Sequence, residues 1–159
     1  KNSMDELNSG LKRTEERISK LEDRITEQNI YESIEVARML ATSTGSIIAV
    51  SGPIDIITNG EHTVLLRNGC ATMARITGSG CMLTSLIGAF CGSNKNDYFS
   101  AVCSAVAVMG ISGELAEIKR LKNGTGNASF RTDLIDAVFN MNKEELERRL
   151  CDEIYERRD

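Results

Sequence analysis

Ile76-Thr77-Gly78-Ser79-Gly80-Cys81-Met82-Leu83-Thr84 sets two glycines and two hydroxyl residues directly before a cysteine and an apolar run. A Gly-Ser-Gly loop at the mouth of a helix frees several backbone N–H groups, and the helix dipole adds positive potential at the same end, so anions bind there. Gly78 and Gly80 would let a phosphate or oxyanion approach the backbone with no Cβ in the way, with Thr77 and Ser79 as hydroxyl donors. The sequence contains neither the GxxxxGK[ST] of a P-loop nor the full GxGxxG of a Rossmann turn. Gly-Ser-Gly alone reads equally as an ordinary glycine turn. Cys81 favours the anion site, because a helix start favours the thiolate and so equips a thiol there to take a proton or act as a nucleophile.

Upstream, Ile30, Ile34, Ala37, Leu40 and Ala41 follow the period of one helix face, with Gly45 as its stop. Ile47-Ile48-Ala49-Val50 is a continuous apolar run, the pattern of a strand buried on both faces. Pro53 and Asp55 interrupt before Ile56-Ile57, Asn59-Gly60 signals a hairpin turn, and Thr63 to Leu66 forms a further strand before a turn at Asn68-Gly69. Downstream, helices are predicted over Cys81 to Phe90, Tyr98 to about Lys122, Ser129 to Asn142 and Lys143 to about Arg157. Ala101, Ala105, Ala107, Gly110 and Gly113 permit close packing of the second. Asn127 or Ser129 offers a cap to the third. The order predicts an α/β arrangement with its helices loaded toward the C-terminal end.

Charge is distributed unevenly. Residues 1–28 hold 13 charged side chains, residues 29–142 only 17 and residues 143–159 hold 12, so a nearly neutral middle lies between two highly charged ends. Met4, Leu7, Leu11, Thr14, Ile18, Leu21 and Ile25 alternate spacings of three and four, the seam of a coiled coil, or of an amphipathic helix leaning on its own domain. The expected organisation is a charged heptad helix over 1–28 and a second domain over 29–159. A net charge of -4, with no basic stripe, argues against a nucleic-acid or anionic-membrane partner. The longest apolar segment, around Cys81 to Cys91, is too short to span a bilayer. Five cysteines without a CxxC pair point to a reducing, cytoplasmic setting. Cys91 and Cys103 read as packing thiols, and the single histidine, His62, as an exposed hairpin residue. This set contains no zinc pattern.

Four stretches carry a resemblance: Ile48-Ala49-Val50-Ser51-Gly52-Pro53-Ile54-Asp55, Thr58-Asn59-Gly60, Ile76 to Leu83, and Gly124-Thr125-Gly126-Asn127-Ala128-Ser129-Phe130-Arg131-Thr132. In order and spacing they resemble the C-terminal half of hydroxyethylthiazole kinase, over roughly residues 29–157. The resemblance implies part of a ribokinase-like α/β domain, behind an N-terminal coiled-coil-like helix. It implies phosphorylation of the hydroxyl of 4-methyl-5-(2-hydroxyethyl)thiazole with ATP and Mg²⁺ in thiamine biosynthesis and salvage, by a homo-oligomer that is a trimer in the family.

Residue by residue, Gly78 to Cys81 match the anion hole beside the substrate hydroxyl, with Thr77, Ser79 and Gly80 on phosphate and Gly78 at the substrate. Cys81 stands where related enzymes carry an aspartate base. Ser51 matches a hydroxyl that contacts ATP phosphate, and no metal ligand is carried over. The family's N-terminal half, with an acidic residue near the metal, falls outside the resemblance. Residues 1–28 instead resemble the coiled-coil region of mammalian long interspersed retroelements. The change near Gln28-Asn29 is expected to mark a chimera, a gene-model artefact or a truncated product, and a first residue of Lys1 a fragment or a processed product. Two other readings remain at this level: a coiled-coil interaction protein, and a ribokinase-like kinase of another small alcohol.

Overall fold

The structure, a computed structural model, describes residues 27–155. The chain divides into two units, Lys1–Val36 and Ala37–Asp159. The heptad seam from Met4 to Ile25 lies outside the described residues. Helix α1 (Glu27–Thr44) begins in the first unit and ends in the second. Ile34, Ala37 and Ala41 are buried as the periodicity predicts, whereas Leu40 is 48% exposed. Gly45, with φ 63°, ends the helix, a left-handed step that glycine takes without steric cost.

In the second unit β1 (Ile48–Val50), β2 (Asp55–Thr58) and β3 (Thr63–Leu66) form an antiparallel meander, joined at its far side by β4 (Asp152–Ile154). Asn59-Gly60 makes the hairpin between β2 and β3. Asn59 Oδ1 accepts from the Glu61 and His62 amides, and Gly60 takes φ 94°. Beneath it the buried Thr63 hydroxyl donates to Thr58 Oγ1 at 3.0 Å, and that of Thr58 donates to the His62 carbonyl at 2.8 Å. The apolar run at β1 is not buried on both faces: Ala49 and Val50 are exposed. β1 is an edge strand whose described strand neighbour is β2 alone; the run reads as a central strand because composition does not report a strand's place in the sheet.

Four helices follow a short 3₁₀ turn (Ala71–Arg75): α2 (Ser79–Ser93), α3 (Tyr98–Asn123), α4 (Asn127–Asn140) and α5 (Lys143–Arg149). α3 packs against α2, α4, α5 and strands β2 and β3. By length and hydropathy it could cross a membrane, so the longest apolar segment among the described residues is α3, not the Cys81 to Cys91 stretch. Its apolar window is 67% buried inside the protein, the mark of a core helix. The small-residue stripe does the predicted work. A Cβ on Gly110 would lie 2.8 Å from the Asn68 carbonyl oxygen, and one on Gly113 would collide with the Met73 sulfur.

Two predicted boundaries differ. α4 begins after Gly126 with no side-chain cap; Asn127 is its first residue, and its side-chain Nδ2 donates to the Arg75 carbonyl at 3.1 Å. α5 stops at Arg149 rather than near Arg157. There the buried Asn68 side chain captures the chain: Nδ2 donates to the Arg149 carbonyl at 2.9 Å and to Glu114 Oε1 at 3.0 Å, and Oδ1 accepts from the Cys151 amide at 2.8 Å. That capture delivers Asp152–Ile154 to β3, where Arg67 pairs with Glu153 at 3.1 Å. Asn68→Ala removes these bonds and leaves buried polar groups unpaired, so it should destabilise the protein by about 2–4 kcal/mol. Urea denaturation measures that loss, and amide exchange should localise the earliest opening to β4.

Candidate active site

The apolar side of α2 fixes where the glycine loop sits. Leu83 packs against both hydrophobic clusters, one around Ile57, Leu66 and Val106 and the other around Ile76, Met109 and Phe130; Met82 and Leu86 join the second. The start of α2 is thereby held against the core. Its opposite side, carrying Gly80 and Cys81, faces solvent.

Gly78 is the N-terminal cap of α2, with φ 92° and no side-chain capping bond. Its carbonyl accepts the Met82 amide at 2.9 Å. The amides of Ser79, Gly80 and Cys81 therefore precede the first amide that has a helical acceptor, and the positive end of the dipole lies among them. A Cβ on Gly78 or Gly80 would meet nothing within 4 Å. Space above the loop is open, and the glycine at 78 is required by its φ rather than by crowding.

A cavity of about 230 Å³ opens beside this helix start, lined among others by Ala49, Ser51, Asp55, Gly80, Leu83 and Thr84. It brings together Ser51 and Gly80, which lie 29 positions apart in the chain. Thr77, Gly78, Ser79 and Cys81 stand at the same helix start but outside its lining. Cys81 is exposed on the first turn. The other helical thiols behave as packing groups: Cys91 and Cys103 lie against the first cluster, and burial pushes the Cys103 thiol up to about 11. His62 is exposed in its hairpin, with 65% of its side chain accessible. A second cavity, between β3, α3 and α5, contains none of the predicted site residues.

Two lining residues had no assigned role in the sequence reading. Thr84 donates its hydroxyl to the Gly80 carbonyl at 3.0 Å, bracing the first turn of α2. Asp55 heads β2, and its Oδ1 accepts the Gly52 amide at 3.0 Å. Burial raises the Asp55 carboxyl to about 6, partly offset by that bond. A signal for Asp55 was present: it is the one charged residue between Arg38 and Glu61.

The chain has relatives among known proteins. A profile of the hydroxyethylthiazole kinase family matches residues 12–144. The chain belongs to the hydroxyethylthiazole kinase family. It is 43% identical over 119 residues to hydroxyethylthiazole kinase 2 of Clostridium botulinum (strain 657 / Type Ba4), covering 75% of this chain and 42% of the relative. It is 45% identical over 117 residues to hydroxyethylthiazole kinase of Clostridium beijerinckii (strain ATCC 51743 / NCIMB 8052), covering 74% of this chain and 41% of the relative. In three dimensions it resembles the hydroxyethylthiazole kinase protein of Pyrococcus horikoshii OT3, with a TM-score of 0.70 and 26% identity over 82% of this chain and 49% of that one. The chain thus spans less than half the length of these family members. The family match starts inside the segment read as a heptad helix, and the resemblance drawn from motifs is that of the family shown.

Asp55 yields a pH prediction. Its folded carboxyl holds a proton more tightly than the unfolded one, whose ordinary value is 3.8. Stability therefore falls as pH rises from about 4 to about 6 and stays reduced above that. Asp55→Asn, which keeps an oxygen acceptor for Gly52, should raise Tm at pH 7.5 and leave it nearly unchanged at pH 4, as read by calorimetry at both values.

Proposed function

We propose that this chain supplies the phosphate-handling and proton-handling part of a kinase that transfers the terminal phosphoryl group of ATP to the hydroxyl of 4-methyl-5-(2-hydroxyethyl)thiazole, in thiamine salvage. The observation that carries the reading is the start of α2, where three amides that precede the first intrahelical bond follow a left-handed glycine and the exposed Cys81 thiol shares the same turn. Phosphoryl transfer asks a protein chiefly for positioning and charge neutralisation. Backbone donors in a helix dipole supply both without a charged side chain.

In this reading Ser79 and Gly80 hold the transferring phosphate through the loop, with the Thr77 hydroxyl as an added donor. Ser51 meets a nucleotide phosphate from across the cavity. Gly78 lies against the substrate, and Cys81 receives or orients its hydroxyl proton. The cavity, at about 230 Å³, is smaller than the pockets that enclose drug-sized ligands but suits a phosphate tail. Among the described residues no three His, Cys, Asp or Glu side chains gather to hold a metal ion. Mg²⁺ is proposed as a companion of the ATP phosphates, where it would neutralise charge. A cytoplasmic location and a homotrimer are proposed with the activity. The division at 28/29 is proposed as the start of the kinase-like domain.

The test is thiazole-alcohol-dependent ADP formation from Mg-ATP by the parent and by Cys81→Ala. The variant should lose about 10²-fold or more in kcat while its KM for ATP changes less than about threefold. ATP should also slow alkylation of Cys81 in the parent. Equal losses in kcat and nucleotide affinity would remove the proton role, and alkylation indifferent to ATP would remove the phosphate site.

A further inference from the structure

The cavity presents a contradiction. A site for phosphate is lined by a carboxylate, and among the described residues no cationic side chain lines it. β1 contributes Ala49 and Val50, α2 contributes Gly80, Leu83, Thr84 and Ile87, and α3 contributes Val106. Opposite Asp55 on β3 stands Leu66, and the turn from Ser51 to Ile54 is uncharged. A carboxylate needed only to close that turn could be replaced by a neutral acceptor, which would avoid the cost of a half-buried charge. Asp55 does close the turn. Its bond to the Gly52 amide fixes the residue next to Ser51, and it is the one side-chain bond to Asp55 found among the described residues.

We infer that Asp55 is a positioning residue of the phosphate site, whose Oδ1 holds the Ser51-Gly52 turn at the cavity and whose charge limits how readily the cavity accepts an anion. The inference rests on the phosphate-site reading above. Its first half is geometric, since a free Gly52 amide would release the Ser51 hydroxyl from a defined place beside Gly80. Its second half is electrostatic: an ionised carboxylate repels an anion in the same half-buried space, and a protonated one does not. The Asp55 carboxyl, raised by burial to about 6, passes between these states within the range where most proteins remain folded. Affinity for an anion of constant charge should therefore fall as pH rises through that value.

Sulfate is such an anion. Its binding can be measured by calorimetry at pH 5.0 and 7.5 for the parent, Asp55→Asn and Asp55→Ala, with ATP binding at pH 7.5 and exchange of the Gly52 amide measured beside it. The parent should bind sulfate roughly tenfold more weakly at pH 7.5 than at pH 5.0. Asp55→Asn, which keeps the acceptor and loses the charge, should show little pH dependence, bind roughly tenfold more tightly than the parent at pH 7.5, and keep Gly52 protected. Asp55→Ala should bind weakly at both values, with fast exchange at Gly52. A parent that binds neither sulfate nor ATP overturns the phosphate site and this inference together. A parent that binds both, with the same pH slope in Asp55→Asn, overturns the inference alone. So does an alanine variant with Gly52 still protected and sulfate still bound.

Discussion

The Asn68 backbone lies on α3 where Gly110 presents no side chain, and a Cβ there would stand 2.8 Å from the Asn68 carbonyl oxygen. That approach brings the end of β3 down onto the core helix. From this position the Asn68 side chain reaches Glu114 on α3 and, in the other direction, Arg149 and Cys151. Glu114 Oε1 also accepts the Gly69 amide at 2.9 Å. One missing side chain thus permits a buried amide to join the sheet, the core helix and the C-terminal segment. The fourth strand depends on this junction, for its three residues are all exposed and bury little apolar surface of their own.

The same core helix determines the site indirectly. Val106 of α3 belongs to the first cluster and also lines the cavity, and Leu83 of α2 reaches both clusters. The helix start that offers free amides is therefore not a frayed end. It is held from behind by apolar contact on both sides, which keeps donors oriented before any ligand arrives. Catalysis by fixed dipoles requires this, because an amide that must reorganise during the reaction loses much of its advantage.

Much of this was legible in the sequence where the signal was local. Gly45, Asn59-Gly60 and Gly124 stand at left-handed or hairpin positions that their residue types announce, and the Gly78 turn falls where the Gly-Ser-Gly motif puts it. The errors arise where a distant partner decides. Asn127 looks like a cap until Arg75 offers its carbonyl across 52 residues. Residues 150–155 look helical until Asn68 captures Cys151 across 83. The apolar run at β1 looks central because hydrophobicity records what a residue can bury, not what the fold brings against it. Asp55 was visible as a lone charge, but its place beside Ser51 and Gly80 required the cavity.

The cavity's dimensions bear on how chemistry is divided within the family. About 230 Å³ accommodates phosphate groups, while a nucleoside triphosphate and a thiazole alcohol together need the larger enclosure typical of small-molecule sites. One wall is β1, an edge strand with Ala49 and Val50 exposed. The chain spans 42% of its Clostridium botulinum relative, and the family match over residues 12–144 includes the glycine turn and the start of α2. Anion binding by amides needs only a rigid turn and a helix, and both are held by contacts internal to the second unit. Around the loop, a Cβ added at Gly78 or Gly80 would meet no atom within 4 Å, so the glycines themselves leave room for a ligand. Under the proposed function, phosphate recognition is separable from substrate selection: the first would follow from local geometry, and the second from whatever surface faces it.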